Sequence, residues 1–392
     1  MPPTPTTTER PATRRSHLWQ IDLLRIVPMV MVVATHTVMF TYKTPTIGSN
    51  AALFVLHVSR FLFFFITAFV LFYQYGDGRV SRARFWRKRY PPIVVPYVAW
   101  TLIYWLLNPL FPWSGQTQLV PGALKVLGLN LAQGWFHLYF LVVTMQFYLV
   151  FPFFAWLIRR TRRWHLQLLA VATVLELVWT GVMTYGWRLM PHFEQVISSH
   201  AQVELTSYEF FFLVGALAAV HRERLMGWVR ARRTLAIATS AGAVLVSLSV
   251  YVLNLQFIKG AATVFQPATL LLFLGATLGL WIVADTLLNR YGADGRVWRV
   301  VHTAAGLSFG IYLSHLVSLQ FLLLAQADGL AGLNLLSGPL WTATLWVLTV
   351  AGSTLISWTL GRTPLSWVLT GRSRTPLRRP APDSPGGVTV AA

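Results

Sequence analysis

Residues 18–41 read LWQIDLLRIVPMVMVVATHTVMFT, and this stretch decides the fold. It is long enough to cross hydrocarbon as a helix, for which about 20 apolar residues suffice. It also carries three ionisable groups, Asp22, Arg25 and His36. Eleven residues at about 100° each bring Arg25 and His36 to within about 20° of a common face, separated by about 16 Å along the axis. Ionisable groups in a spanning helix are costly, so each calls for a partner or a function. Asp22, at i−3, is placed to orient the Arg25 guanidinium.

Similar apolar stretches follow along the chain, giving about ten spans at roughly 18–41, 51–75, 91–111, 134–158, 165–185, 207–221, 234–254, 263–288, 300–326 and 339–361. The sixth is short, and the loop 112–133 is read as holding a half-buried segment. Hydrophobic residues make up 55% of the 392, charged residues only 11%, and mean hydropathy is +0.56. A soluble domain carries about 25% charged residues, so this composition implies an all-α polytopic membrane protein. Cysteine is absent, which excludes disulfides, thiolate metal ligands and cysteinyl intermediates.

The net charge of +20 is explained by topology and requires no nucleic-acid partner. With the N-terminus inside, 26 of the 32 Lys and Arg fall on the cytoplasmic side, and only Lys43, Lys125, Arg188 and Lys259 lie in outer loops. Arg25 and Arg60 remain within spans. The expectation is therefore a multi-pass plasma-membrane protein with both termini cytoplasmic, lipid-contacting, with its oligomeric state open. Residues 1–17 and 362–392 are rich in Pro, Thr and Arg and read as disordered cytoplasmic tails around a transmembrane domain at 18–361. Arg14-Arg15 is similar to a twin-arginine export signal. However, the apolar run after it is too long and too charged for a cleaved signal, so it is taken as a retained helix. No sequence spacing suggests a metal site, a nucleotide loop or a Gly-x-Ser-x-Gly elbow, so no bound metal or cofactor is expected.

Several runs recur beside the Arg25/His36 pair. The second span carries Phe64-Phe65-Ile66-Thr67-Ala68-Phe69, and the loop after it reads Phe85-Trp86-Arg87-Lys88-Arg89-Tyr90-Pro91-Pro92. The fourth carries Gln146-Phe147-Tyr148-Leu149, and the ninth Gly310-Ile311-Tyr312-Leu313-Ser314-His315. Together, and in this order, these runs resemble acyltransferase family 3, the integral-membrane O-acyltransferases of sugars, lipids and some antibiotics. Arg25 and His36 look like that family's Arg-x10-His signature, and the resemblance covers 18 to about 361. Thr144-Met145 stand where many relatives carry a pair of glutamates.

The resemblance implies transfer of an acyl group, most simply acetyl, from a cytoplasmic acyl-CoA co-substrate to a hydroxyl of an extracytoplasmic glycan, glycolipid or secondary metabolite. Polysaccharide O-acetylation is one such activity. Arg25, Arg87, Lys88 and Arg89 are the cations available for the donor's phosphates. His36 is the candidate catalytic residue, as general base or, in a covalent variant, as acyl carrier. Arg60, read as lying near the outer start of the second helix, together with Asp22, Tyr148, Tyr312 and His315, forms a set of acceptor-binding or supporting candidates. His57 and His137 are weaker candidates, and Glu176, Glu209 and Asp285 are read mainly as packing partners. The rival reading is a multi-span transporter or flippase with Arg25 and His36 lining a polar path.

Overall fold

The computed structural model describes residues 17–76, 81–110, 123–186, 201–258, 261–293 and 295–375. It is all-α, with no strand among the described residues. The helices, in chain order, are α1 (Trp19–Thr41), α2 (Ile47–Tyr75), α3 (Arg82–Arg89), α4 (Pro91–Leu107), α5 (Ala123–Gln133), α6 (Tyr139–Arg160) and α7 (His165–Tyr185). They continue as α8 (Glu209–Val220), α9 (Arg222–Ala231), α10 (Arg233–Phe257), α11 (Ala268–Tyr291), α12 (Arg296–Ala327), α13 (Gly338–Leu360) and α14 (Ser366–Thr370). Among the described residues nine segments are long and apolar enough to span a membrane, and Glu209–Val220 is a shorter apolar helix. The expected short sixth span is this helix.

The basic loops gather at one end of the bundle. Arg159 at the end of α6 donates to the Gly76 carbonyl at the end of α2. Arg230 of α9 makes a two-pronged pair with Asp285 of α11, at 2.7 and 3.2 Å, and Gln20 at the start of α1 reaches the same carboxylate. Asp285 is thus a packing partner, as its sequence context suggests. At the opposite end Thr342 donates to Thr41, joining α13 to α1.

Two features of sequence dictate how closely the helices approach. On α2, Thr46 and Ser49 cap each other's backbone amides reciprocally at 3.0 and 2.8 Å. The helix then lays its phenylalanines against α8, where Phe61 stacks on Phe211 with centroids 4.2 Å apart. That approach needs Gly215, since a Cβ there would lie 2.2 Å from the Phe65 carbonyl oxygen. Small residues likewise seat α12 on α13, where Gly310 faces Ser357 and Gly352 faces Ser318.

The structure corrects two boundaries. The fourth span is not one helix from 134 to 158. Gly134 turns at φ +85°, where a Cβ would strike Tyr139 at 2.3 Å, and Phe136–Leu138 forms a 3-10 turn before α6. Phe136 itself is held at φ +43°, a conformation that L-residues rarely adopt. The expected tail from 362 onward also begins later. Residues up to 375 are described, and α14 docks on α4 through the Trp100 indole, which donates to the Leu369 carbonyl at 2.9 Å. The tails at 1–16 and 376–392 lie outside the described residues, as do 111–122 of the loop after α4 and Arg188.

Candidate active site

Two adjoining cavities on the Arg25/His36 side of α1 share part of their walls. The one at the basic end, of about 320 Å³, is lined by Arg25, Lys88, Arg89 and Arg372 together with Thr67, Tyr148 and Ser308. The second, of about 160 Å³, is lined by His36, His57, Arg60, His137, Tyr139 and Gln202. Phe63, Phe140 and Tyr312 line both. Arg25 and His36 therefore face the bundle interior on one side of α1, each in its own chamber, with an aromatic collar where the chambers adjoin.

The cations of the first chamber are brought in by local chemistry. Ser81 caps α3, and the aromatic side chains of that basic stretch pin it to α6. Trp86 donates to the Tyr148 carbonyl at 2.9 Å, and Tyr90 to that of Met145 at 2.8 Å. Pinning this face turns Lys88 and Arg89 into the chamber, where Arg89 bonds Gln74 and lies over the Tyr75 ring at 5.0 Å. Arg87, on the other side of the turn, is exposed and is not part of the lining. Its expected place beside Lys88 and Arg89 is corrected by the helical twist. Arg372, expected in the cytoplasmic tail, lines the chamber instead. Gly371, at φ +65°, passes so close to the Pro92 carbonyl that a Cβ would lie 2.4 Å from it, and this sets Arg372 beside the start of α4.

Three other expectations change. Arg60 lies in the middle of α2, not near its outer start. Its guanidinium sits 5.9 and 5.8 Å from the ring centroids of Tyr139 and Phe265, in the second chamber. Asp22 does not place its carboxylate on Arg25. Its Oδ2 accepts from both His17 Nε2 and His302 Nδ1 at 2.8 Å, while Arg25 feels it only as a nearby charge. Tyr148 lines the cationic chamber and so is placed away from the His36 side. The His17–Asp22–His302 group, whose ligand atoms lie within 4.8 Å of one another, is the arrangement among the described residues that could hold a metal ion. Sequence spacing gave no sign of it, because its members come from the two ends of the domain.

The second chamber is built around imidazoles. His36 is centred 5.1 Å from His315 and 6.1 Å from His137, and His137 lies 4.8 Å from His315. His137 sits in the 3-10 turn, whose carbonyl accepts from the Tyr312 hydroxyl. His315 lies behind the cavity wall, fully buried. The segment before α8 adds to the chamber wall. Gln146 of α6 donates to the Val203 carbonyl at 2.8 Å and accepts from the Leu205 amide at 2.9 Å, presenting Gln202 to the cavity. Glu176 is buried in α7 among packing contacts, and Glu209 begins α8; neither lines a chamber.

Chemically, one chamber offers several permanent cations to an anion. The other offers buried imidazoles and a guanidinium to an uncharged reacting group. Residues 18–360 match the family model described as an acyltransferase domain. No curated protein and no solved structure matches the chain.

Proposed function

Since the chain belongs to acyltransferase family 3 and is a membrane acyltransferase, we propose that it moves an acyl group, most simply acetyl, from acyl-CoA at its basic end to a hydroxyl presented at the opposite end. The basic end is then cytoplasmic, with both termini on that side of the plasma membrane, in keeping with the positive-inside rule. The acceptor class is an extracytoplasmic glycan, glycolipid or secondary metabolite, and polysaccharide O-acetylation is the simplest instance. The observation that carries this reading is the pair of adjoining chambers, cationic around Arg25 and imidazole-lined around His36.

Arg25, Lys88, Arg89 and Arg372 hold the phosphates of the donor, which guanidinium and ammonium groups recognise by charge-assisted hydrogen bonds. The pantetheine arm extends along α1 past Phe63, Phe140 and Tyr312. The spacing of about 16 Å between Arg25 and His36 is comparable to the length of that arm. In the second chamber the hydroxyl oxygen bonds to the thioester carbon as His36 takes its proton. The carbon–sulfur bond then breaks, and the proton passes to the departing thiolate. Arg60, half-buried in the lining of the same chamber, supplies the cation that stabilises the oxyanion. The volume of about 160 Å³ favours a short acyl group.

Membranes containing the protein, supplied with radiolabelled acetyl-CoA, test the proposal. Label should enter the hydroxyl-bearing envelope fraction with wild type and not with His36→Ala, at equal membrane levels. An active His36→Ala protein overturns the role of His36, and thioester left intact by the wild type overturns the donor.

A further inference from the structure

His36 and His315 carry complementary unsatisfied nitrogens. His315 Nδ1 lies 2.6 Å from the Tyr312 carbonyl oxygen. A carbonyl can only accept, so Nδ1 carries the hydrogen and the neutral ring holds its bare lone pair at Nε2. That Nε2 is buried with no hydrogen-bond partner. His36 Nδ1 is likewise buried and unpartnered, while the ring lines the cavity, leaving Nε2 as the nitrogen that meets a reacting hydroxyl. A base acting through Nε2 must hold its own hydrogen on Nδ1. The two rings stand 5.1 Å apart, centre to centre, tilted by 40°, close enough for one ring nitrogen to reach the other, although the two make no hydrogen bond in this structure.

We propose that His315 is a positioning residue for His36: a small reorientation of the two adjacent rings on substrate binding lets its Nε2 accept the hydrogen on His36 Nδ1, which selects the tautomer that leaves His36 Nε2 bare toward the acceptor hydroxyl and stabilises the imidazolium once the hydroxyl proton has been taken. This deepens the reading of His36 as base and rests on it. The hydroxyl proton moves to His36 Nε2; the Nδ1 hydrogen stays on His36, now donated more strongly to His315. A neutral acceptor suits this place, because an ionised carboxylate buried in an apolar bundle is costly unless fully paired. Leaving both nitrogens unpaired would also be unfavourable, since a buried donor and a buried acceptor each lose their water.

His137 is the competing neighbour. Its ring lies 4.8 Å from His315, and both of its nitrogens are buried without a partner. It stands 6.1 Å from His36 in the 3-10 turn that lines the chamber. His57 and Arg60 of α2, Tyr139 of α6 and Tyr312 of α12 are the remaining titratable groups around the pair, and all are kept in the variants that follow.

The test uses full-length protein in proteoliposomes or native membranes, with radiolabelled acetyl-CoA as donor and the host envelope as acceptor. In His315→Phe, transfer at saturating donor is expected to fall about 100-fold, the lower range for loss of general acid–base assistance, with the KM for acetyl-CoA unchanged. The acid limb of the pH–rate profile should move to lower pH, because the imidazolium loses its support. His315→Gln, whose amide oxygen can accept, should recover at least a tenth of the wild-type rate. Retention on gel filtration and thermal unfolding report folding; if the Phe variant does not fold, His315→Met takes its place in the comparison with Gln. A wild-type rate in the apolar variant, or a folded Gln variant no better than the apolar one, overturns the pairing. So does His137→Phe reproducing the full rate loss and pH shift, which would assign His315 to His137 instead. If His36→Ala is inactive while the apolar His315 variant works normally, only the pairing fails. If His36→Ala is active, the base assignment itself fails.

Discussion

Arg25 and Arg372, near opposite ends of the chain, line one cavity with Lys88 and Arg89. Three separate segments thus place positive charge around a single space, and Gly371 beside Pro92 supplies the contact that brings the last of them in. The positive charge of that cavity is divided among cations that no sequence spacing connects.

Removing Arg372 should therefore weaken the donor, whereas removing Arg87 should not. Arg372→Gln is expected to raise the KM for acetyl-CoA roughly tenfold, as for loss of one charge-assisted hydrogen bond, with the turnover at saturation kept. Arg87→Gln, at an exposed position off the lining, serves as the comparison. Equal effects of the two would remove the cavity from donor binding.

Arg25→Ala should act in the same direction and more strongly, by one to two orders of magnitude in donor KM, because it lines the chamber half-buried where Lys88 and Arg372 are exposed. Saturation curves against acetyl-CoA decide this. An unchanged KM with a lowered plateau would move Arg25 from binding to some other part of the cycle.

Gln146→Ala loses both hydrogen bonds to the segment at Val203 and Leu205, a cost of about 1–2 kcal/mol. Amide hydrogen exchange should accelerate across 201–208 and leave α1 unaffected, while the donor KM stays at the wild-type value. Unaltered exchange across that loop would show that something other than Gln146 secures it.

Gly215→Ala should destabilise the bundle by about 1–3 kcal/mol, since its Cβ would meet the Phe65 carbonyl at 2.2 Å. Gly181→Ala, in α7 with open space around the added carbon, should be neutral or slightly stabilising. Thermal unfolding in detergent compares them. Equal melting temperatures would mean that α2 and α8 can part without loss.

The candidate site is partly legible in the sequence. Arg25 and His36 stand out because charge in a long apolar run is costly, and helical spacing alone puts them on one face. His315 and Tyr312 were readable as polar residues in a late span, but the geometry that sets His315 behind His36 was not. Asp22 shows the limit of local reasoning. Spacing at i−3 offered it to Arg25, yet His17 and His302 take its oxygen because α12 packs alongside α1. Arg60 shows another. Starting α2 at Ile47 instead of 51 moves it deeper, where it joins the imidazoles.

Composition and periodicity by themselves determined that this chain lives in a bilayer as a helical bundle, because apolar length and scarcity of charge allow no other solvent. They also determined which face of the first helix is polar, because helical rise and twist are properties of the backbone. Only the packed structure decided which distant groups share a chamber. That depends on crossings set by single small residues such as Gly215, Gly310 and Gly371, and on turns such as Gly134-to-Leu138, whose effect is felt by side chains hundreds of positions away.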